Sequence, residues 1–153
     1  MSVTHASFTI ERRYPQTPAQ AYSAFADPEL KRRWFANPGG WPDGEWELDF
    51  RVGGGERNAG TDGGGTHHTF RSRFHDIVEG ERIVFAYDLL IDRRLVSVSL
   101  TTVEFHADGS GTRLVLSEQG AFFDGLDDPA GREHGTGKLL DTLDRFLAGE
   151  PVR

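Results

Sequence analysis

Alternation of apolar and polar residues with a period of two runs through the middle of this chain, and a helical period replaces it near both ends. Residues 7–14 read as an opening strand that turns Phe8, Ile10 and, at its end, Tyr14 inward. Two helix starts follow. Thr17-Pro18-Ala19-Gln20 is a capping box with proline at the first helical position, opening a helix through Ala21, Tyr22 and Phe25. Asp27-Pro28 is a second N-cap with proline, opening a helix that ends near Trp34 and Phe35. Asn37-Pro38-Gly39-Gly40 then breaks the chain.

From Glu45 to Val52 the alternation is strict. Trp46, Leu48, Phe50 and Val52 face one way and Glu47, Asp49 and Arg51 the other, which predicts a strand with one wet face. Glycines at 53–55, 60 and 63–65 surround a short piece near Arg57 and predict a flexible hairpin tip. His68, Phe70, Ser72 and Phe74 alternate in the next strand, Glu79-Gly80-Glu81 turns the chain, and Ile83, Phe85, Tyr87 and Leu89 alternate after it. Val96, Val98 and Leu100 share a parity that Val103 and Phe105 leave, which predicts a bulge at Thr101-Thr102. Asp108-Gly109 supplies a turn, and Leu114, Leu116 and Glu118 share one face of the last strand. The final helix runs from Asp128-Pro129 to Gly149, with a stripe of Leu139, Leu140, Leu143, Phe146 and Leu147. Arg132 and Thr136 fall near the centre of that stripe and His134 opposite it. The order describes an α+β domain spanning 1–153. A curved antiparallel sheet of about seven strands wraps a long C-terminal helix, with two short helices after the first strand.

Composition narrows the chemistry. A chain of 153 residues, 37% hydrophobic and 27% charged, is ordinary for a globular domain. It holds no run of about 18 apolar residues and starts without the basic and apolar regions of a signal peptide, so the expected location is the cytoplasm. The absence of cysteine removes disulfides, thiolate metal sites and cysteine nucleophiles. A net charge of -7 argues against nucleic acid, and Lys31-Arg32-Arg33 reads as the wet face of a helix. His67 and His68 are neighbours on a strand and point to opposite faces, so no metal site is expected. The serines lack a nucleophile-elbow context, and Gly53-Gly54-Gly55 lacks the lysine of a phosphate loop; no cofactor is expected.

The segments Ala21-Tyr22-Ser23-Ala24-Phe25-Ala26-Asp27-Pro28, Leu30-Lys31-Arg32-Arg33-Trp34-Phe35, Asp49-Phe50-Arg51-Val52-Gly53-Gly54, Gly80-Glu81-Arg82-Ile83-Val84-Phe85, Thr101-Thr102-Val103-Glu104-Phe105 and 111–120 together carry a resemblance. In this order the chain resembles the START-like, or helix-grip, superfamily of polyketide cyclases, dehydrases and lipid-transport proteins. Within it, the chain is similar to the activator of heat-shock-protein-90 ATPase homologue family. The resemblance implies the helix-grip fold. It also implies a cavity between sheet and helix in which members hold lipids, hormones or polyketides and some catalyse cyclisation or dehydration.

Candidates for such a cavity are the aromatic residues Trp34, Phe35, Trp41, Trp46, Phe70, Phe85, Tyr87, Phe122 and Phe123, with Thr136, Leu140 and Leu143 on the helix. Each aromatic has core filling as its alternative role. Glu118 shares the inward parity of Leu114 and Leu116 and would meet Arg132 near the cavity mouth. A buried carboxylate alone would be a candidate acid or base, and one beside arginine a charged anchor for a polar ligand tip; the alternative leaves both solvated. Three functions remain open: binding a small, mainly apolar molecule, cyclase or dehydratase catalysis through Glu118 and Tyr87, and a chaperone-interaction or homodimer module. The last needs an exposed apolar patch, and the outward Glu47, Asp49, Arg51, Arg71 and Arg73 speak against one. No membrane partner is expected.

Overall fold

The computed structural model describes residues 2–36 and 41–151, so the predicted break at 37–40 lies outside the described residues. The elements are β1 (Val3–Tyr14), α1 (Pro18–Ala26), α2 (Pro28–Trp34), β2 (Glu45–Leu48), β3 (Gly55–Thr61), β4 (His67–Val78), β5 (Arg82–Ile91), β6 (Arg94–Asp108), β7 (Gly111–Phe123) and α3 (Pro129–Leu147). Seven strands form one sheet in the order β1-β7-β6-β5-β4-β3-β2, antiparallel at every pairing. The first strand thus returns to pair with the last, Phe8 opposite Glu118. With α3 laid along its inner face, this is the helix-grip fold.

Local sequence signals set the helix ends. Thr17 accepts from the Gln20 amide at 3.2 Å while the Gln20 side chain accepts from the Thr17 amide at 2.9 Å. Asp27 closes α1 and caps α2, its carboxylate accepting from the Glu29 amide at 2.9 Å. Losing such a cap costs about 1 kcal/mol. Asp128 caps α3. The β6–β7 hairpin closes at Gly109, whose φ of 61° suits a residue without a β-carbon.

The core lies where α1, α2 and the second half of α3 meet the sheet, and holds Tyr14, Phe25, Trp34, Phe74, Leu140 and Leu143 among its members. Burial of each large side chain there contributes about 2 kcal/mol. Three side chains at and just beyond the end of β1 donate to carbonyls along α3. Arg12 reaches Gly137 at 3.1 Å, Tyr14 reaches Leu140 at 3.3 Å and Gln16 reaches Leu147 at 3.0 Å. The helix is therefore anchored along its C-terminal half. Its first half is tied to the sheet through Arg132.

Several expectations are corrected. The strand predicted over Glu45–Val52 stops at Leu48, and Val52 is 56% exposed. The chain turns there because Gly54 lies against Asp49, where a β-carbon would come within 2.3 Å of the Asp49 carbonyl oxygen. The predicted glycine-rich hairpin tip contains a strand, β3, running through Gly55 and Gly60. Its inward residues, Glu56, Asn58 and Gly60, carry no apolar signal. The predicted bulge at Thr101-Thr102 is not there: Thr101 pairs regularly with Phe85 and Glu118, and Thr102 with Val84 and Ser117. The irregularity sits at Val96, skipped where Leu89 pairs with Ser97 and Leu90 with Leu95. Consequently Ser97, Ser99, Thr101, Val103 and Phe105 form one buried inner row, and Val98 and Leu100 face outward, each 38% exposed.

Lys31 is buried rather than wet, while Arg32 and Arg33 are exposed as expected. The outer sheet face is polar over β2–β5, with an Arg71–Asp88 pair at 2.9 Å and an Arg57–Glu45 pair. Over β5–β7, however, Ala86, Val98, Leu100 and Ala121 line a shallow groove of about 580 Å³, an apolar stretch the outward charges had argued against. Among the described residues no helix is long and apolar enough to cross a membrane.

Candidate functional site

The inner face carries polar residues in register across four strands, β3 to β6, with a glycine completing the row on β7. Glu56 pairs with Ser72, Ser72 with Tyr87, Tyr87 with Ser99, and Ser99 with Gly120. Directly opposed residues share a face, so this is one polar row on a surface otherwise built of aromatics. Two residues further along β6 and β7, on the same face, Thr101 opposes Glu118.

Arg132 descends onto this row from the first half of α3. Its Nη1 donates to the Tyr87 hydroxyl at 2.9 Å and to Ser99 Oγ at 3.3 Å. Its Nη2 donates to Ser97 Oγ at 2.7 Å and to Asp127 Oδ2 at 2.5 Å. The Tyr87 hydroxyl donates to Glu118 Oε2 at 2.8 Å, and Thr101 donates to Oε1 at 2.8 Å. Arg132 and Glu118 therefore meet, 3.8 Å apart, with Tyr87 as the bridge. The guanidinium also lies over the Phe122 and Tyr87 rings, at 5.0 and 5.5 Å from their centroids, a cation–π arrangement strengthened by burial.

Burial raises the Glu118 pKa, and the hydrogen bonds from Tyr87 and Thr101 and the Arg132 charge oppose it without cancelling it. Burial, then the Glu118 charge, raises that of Tyr87. Burial alone would lower the Arg132 pKa, but Tyr87, Asp127 and Glu118 together hold it above its ordinary value.

The aromatic floor lies beside this cluster. Phe70 meets Tyr87 at 4.7 Å and Phe35 at 5.2 Å, and Phe85 meets Phe74 at 6.0 Å and Tyr87 at 6.1 Å between centroids. Phe85 is on β5, the middle strand, and on the inner face, yet it is only half-buried. A second ionic cluster borders the floor. Lys31 Nζ donates to Glu56 Oε1 at 2.5 Å and sits 4.4 Å from the Phe35 centroid, while Trp46 Nε1 donates to Glu56 Oε2 at 2.9 Å. Between the clusters, Ser72 Oγ is buried and has no hydrogen-bond partner among the described residues.

Of the predicted residues, the structure brings together Phe35, Phe70, Phe85, Tyr87, Glu118, Phe122 and Arg132. Thr136 is half-buried one turn along α3, donating to the Arg132 carbonyl at 2.9 Å. Trp46 joins the Lys31 cluster, and Trp41 lies over His68 at 5.2 Å. Four candidates go elsewhere. Trp34 is enclosed in the core with its Nε1 donating to the Ala24 carbonyl at 2.8 Å, and Leu140 and Leu143 are core residues. Phe123 has the opposite strand parity to Phe122 and belongs to the outer face. The strand rule already required this split. His67 and His68 diverge as expected, His68 to Asp62 at 2.9 Å and His67 to Thr61 at 3.0 Å.

Sequence reasoning missed Ser97, Ser99, Thr101, Asp127, Lys31, Glu56 and Ser72. A signal existed for three of them: counting back from Phe105 and Val103 in steps of two lands on Thr101, Ser99 and Ser97.

Comparison with known proteins follows the same architecture. The family described as Activator of Hsp90 ATPase homolog 1-like protein matches residues 15–148. The crystal structure of the Mll3558 protein from Rhizobium loti is similar at 49% identity and a TM-score of 0.89, over 95% of this chain and 99% of that one. An uncharacterized protein from Rhizobium leguminosarum is similar at 42% identity and a TM-score of 0.92, over 97% and 98%. Ara h 8.0201, at 12% identity and a TM-score of 0.71 over 95% and 97%, shares the fold alone. No curated protein matches the chain.

Proposed function

Because the chain belongs to the Activator of Hsp90 ATPase homolog 1-like family, whose helix-grip fold is typical of hydrophobic-ligand binding proteins, we propose that it binds a small, mainly apolar molecule between the inner sheet face and α3. The observation that carries this reading is Phe85. An aromatic on the inner face of a middle strand belongs in the core, and this one is left partly open beside Tyr87, which Phe70 meets from the other side. A guest covering that floor would bury apolar area worth about 25 cal/mol per Å² before the cost of association. Arg132 contributes by tying the first half of α3 to the sheet through a long side chain bonded to Tyr87, Ser99 and Ser97. The Tyr87–Glu118–Thr101 bonds hold the cluster in one geometry and orient the guest.

The neutral probe N-phenyl-1-naphthylamine tests this by fluorescence titration. Binding should weaken in Phe85→Leu and persist in Val98→Asp, which alters only the outer groove. The opposite pattern would overturn the proposal.

A second reading, cyclase or dehydratase chemistry with Glu118 as the acid, draws on the upward displacement of its pKa. Carboxyl-carbon NMR tests it: a Glu118 midpoint near neutrality supports the reading, and one in the ordinary carboxylate range removes it.

A further inference from the structure

Each cation that reaches the inner side of the sheet already has a carboxylate of this chain. Among the described residues, Arg12 pairs with Asp141 at 3.2 Å, Lys31 with Glu56 at 2.5 Å, and Arg132 with both Asp127 at 2.5 Å and Glu118 at 3.8 Å. Lys31 and Arg132 both border the aromatic floor, and of the two Arg132 has two carboxylates for one positive charge. Both of its terminal nitrogens are taken: Nη1 by Tyr87 and Ser99, Nη2 by Ser97 and Asp127. The positive end of α3 is answered as well, because the Asp128 carboxylate accepts from the Ala130 amide at 3.3 Å.

The two carboxylates around Arg132 are not equivalent. The Glu118 side chain is 4% exposed and sits beneath the guanidinium on the sheet. The Asp127 side chain is 27% exposed and comes from the loop between β7 and α3, at the end of the sheet where β5 finishes and β6 begins. It is the more exposed of the two carboxylates paired with Arg132 and so the one an incoming anion would meet first.

We propose that Asp127 is a specificity-determining residue that excludes anionic ligands, so that the inner space takes uncharged apolar molecules and rejects carboxylates and sulfonates of the same shape. The proposal rests on the binding reading above and names the ligand class for that site. An anion entering here must either displace Asp127 from a bond to a buried cation or become the third negative group around it. Either route leaves a carboxylate in poor company, and uncompensated like charge at a buried site works against binding. A neutral molecule meets neither obstacle: the cluster is satisfied without it, and the aromatic floor provides the contact area.

The experiment compares two probes that share a skeleton and differ by one sulfonate: neutral N-phenyl-1-naphthylamine and anionic 8-anilinonaphthalene-1-sulfonate. Both are titrated into the full chain and into Asp127→Asn, with Asp127→Ser as a second variant. In the unaltered protein the neutral probe should bind on the order of tenfold or more tightly than the anionic one. In both variants the anionic probe should gain by a similar factor while the neutral probe stays within about twofold. Equal affinities in the unaltered protein, or a variant that shifts both probes alike, overturn the filter while leaving the binding site standing. Failure of the neutral probe to bind at all overturns the binding reading itself, and the filter with it.

Discussion

Replacing Tyr87 with phenylalanine removes one oxygen and keeps the ring, so it isolates what the bridge contributes. That oxygen makes two hydrogen bonds to charged groups, donating to Glu118 at 2.8 Å and accepting from Arg132 at 2.9 Å. Hydrogen bonds to charged groups contribute about 1.5–3 kcal/mol each. Glu118 keeps Thr101, and Arg132 Nη1 keeps Ser99, so neither group is left bare. Arg132 can also close on Glu118 from 3.8 Å. The lower end of the range then applies to both bonds, giving a loss of about 3 kcal/mol. For a chain of this size that corresponds to a fall in Tm of about 6–12 °C. Urea unfolding reads it directly as a lower midpoint at unchanged slope. Repeating the change in a Glu118→Gln background should roughly halve the cost, since one charged partner is gone. A Tyr87→Phe variant within about 0.5 kcal/mol of the unaltered protein would refute the cluster's role in holding the inner face.

Two further outcomes follow from the same geometry. Burial keeps the folded-state pKa of Glu118 above its ordinary 4.5, so its contribution is fully present below that value and is lost as pH rises through the folded-state pKa. The stability difference should therefore move in favour of Glu118→Gln between about pH 4 and about pH 8, and a difference that is flat or moves the other way in urea midpoints contradicts the assignment. Lys31→Met leaves Glu56 buried with only the Trp46 N–H, a loss of about 3–5 kcal/mol, and the double variant Lys31→Met with Glu56→Leu should recover much of it. A double variant as unstable as the single one, by thermal unfolding, would show that the pair itself holds α2 to β3.

What could be read from the sequence was what local chemistry decides. The Thr17 box, the Asp27 and Asp128 caps, the turn at Gly109 and the α3 stripe all depend on residues a few positions apart, and each lies where expected. The meeting of Glu118 and Arg132 was legible because strand parity and helix phase each point inward independently. The remainder depends on partners distant in sequence. Lys31 is buried because Glu56 waits 25 positions later, which no pattern in α2 announces. β3 was hidden because its inward residues are a carboxylate, an amide and a glycine, and Gly55 is needed where a β-carbon would lie 2.1 Å from the Ser72 carbonyl oxygen. The phase of β6 departs from its apolar pattern for a related reason. The pattern points Val98 and Leu100 inward, whereas Ser97, Ser99 and Thr101 are buried against Arg132 and Glu118, and Val98 and Leu100 are left outside. In β3 and β6 the places where hydrophobic patterning fails coincide with the candidate site.

A neutral apolar molecule is proposed to lie against the inner sheet face beneath α3. Intermolecular NOEs from bound N-phenyl-1-naphthylamine test it most directly, because the two faces of the sheet carry different reporters. Contacts are expected to the ring protons of Phe70 and Phe85 and to the Thr136 methyl. Contacts instead to the methyls of Ala86, Val98 and Leu100 would place the molecule in the outer groove and contradict it.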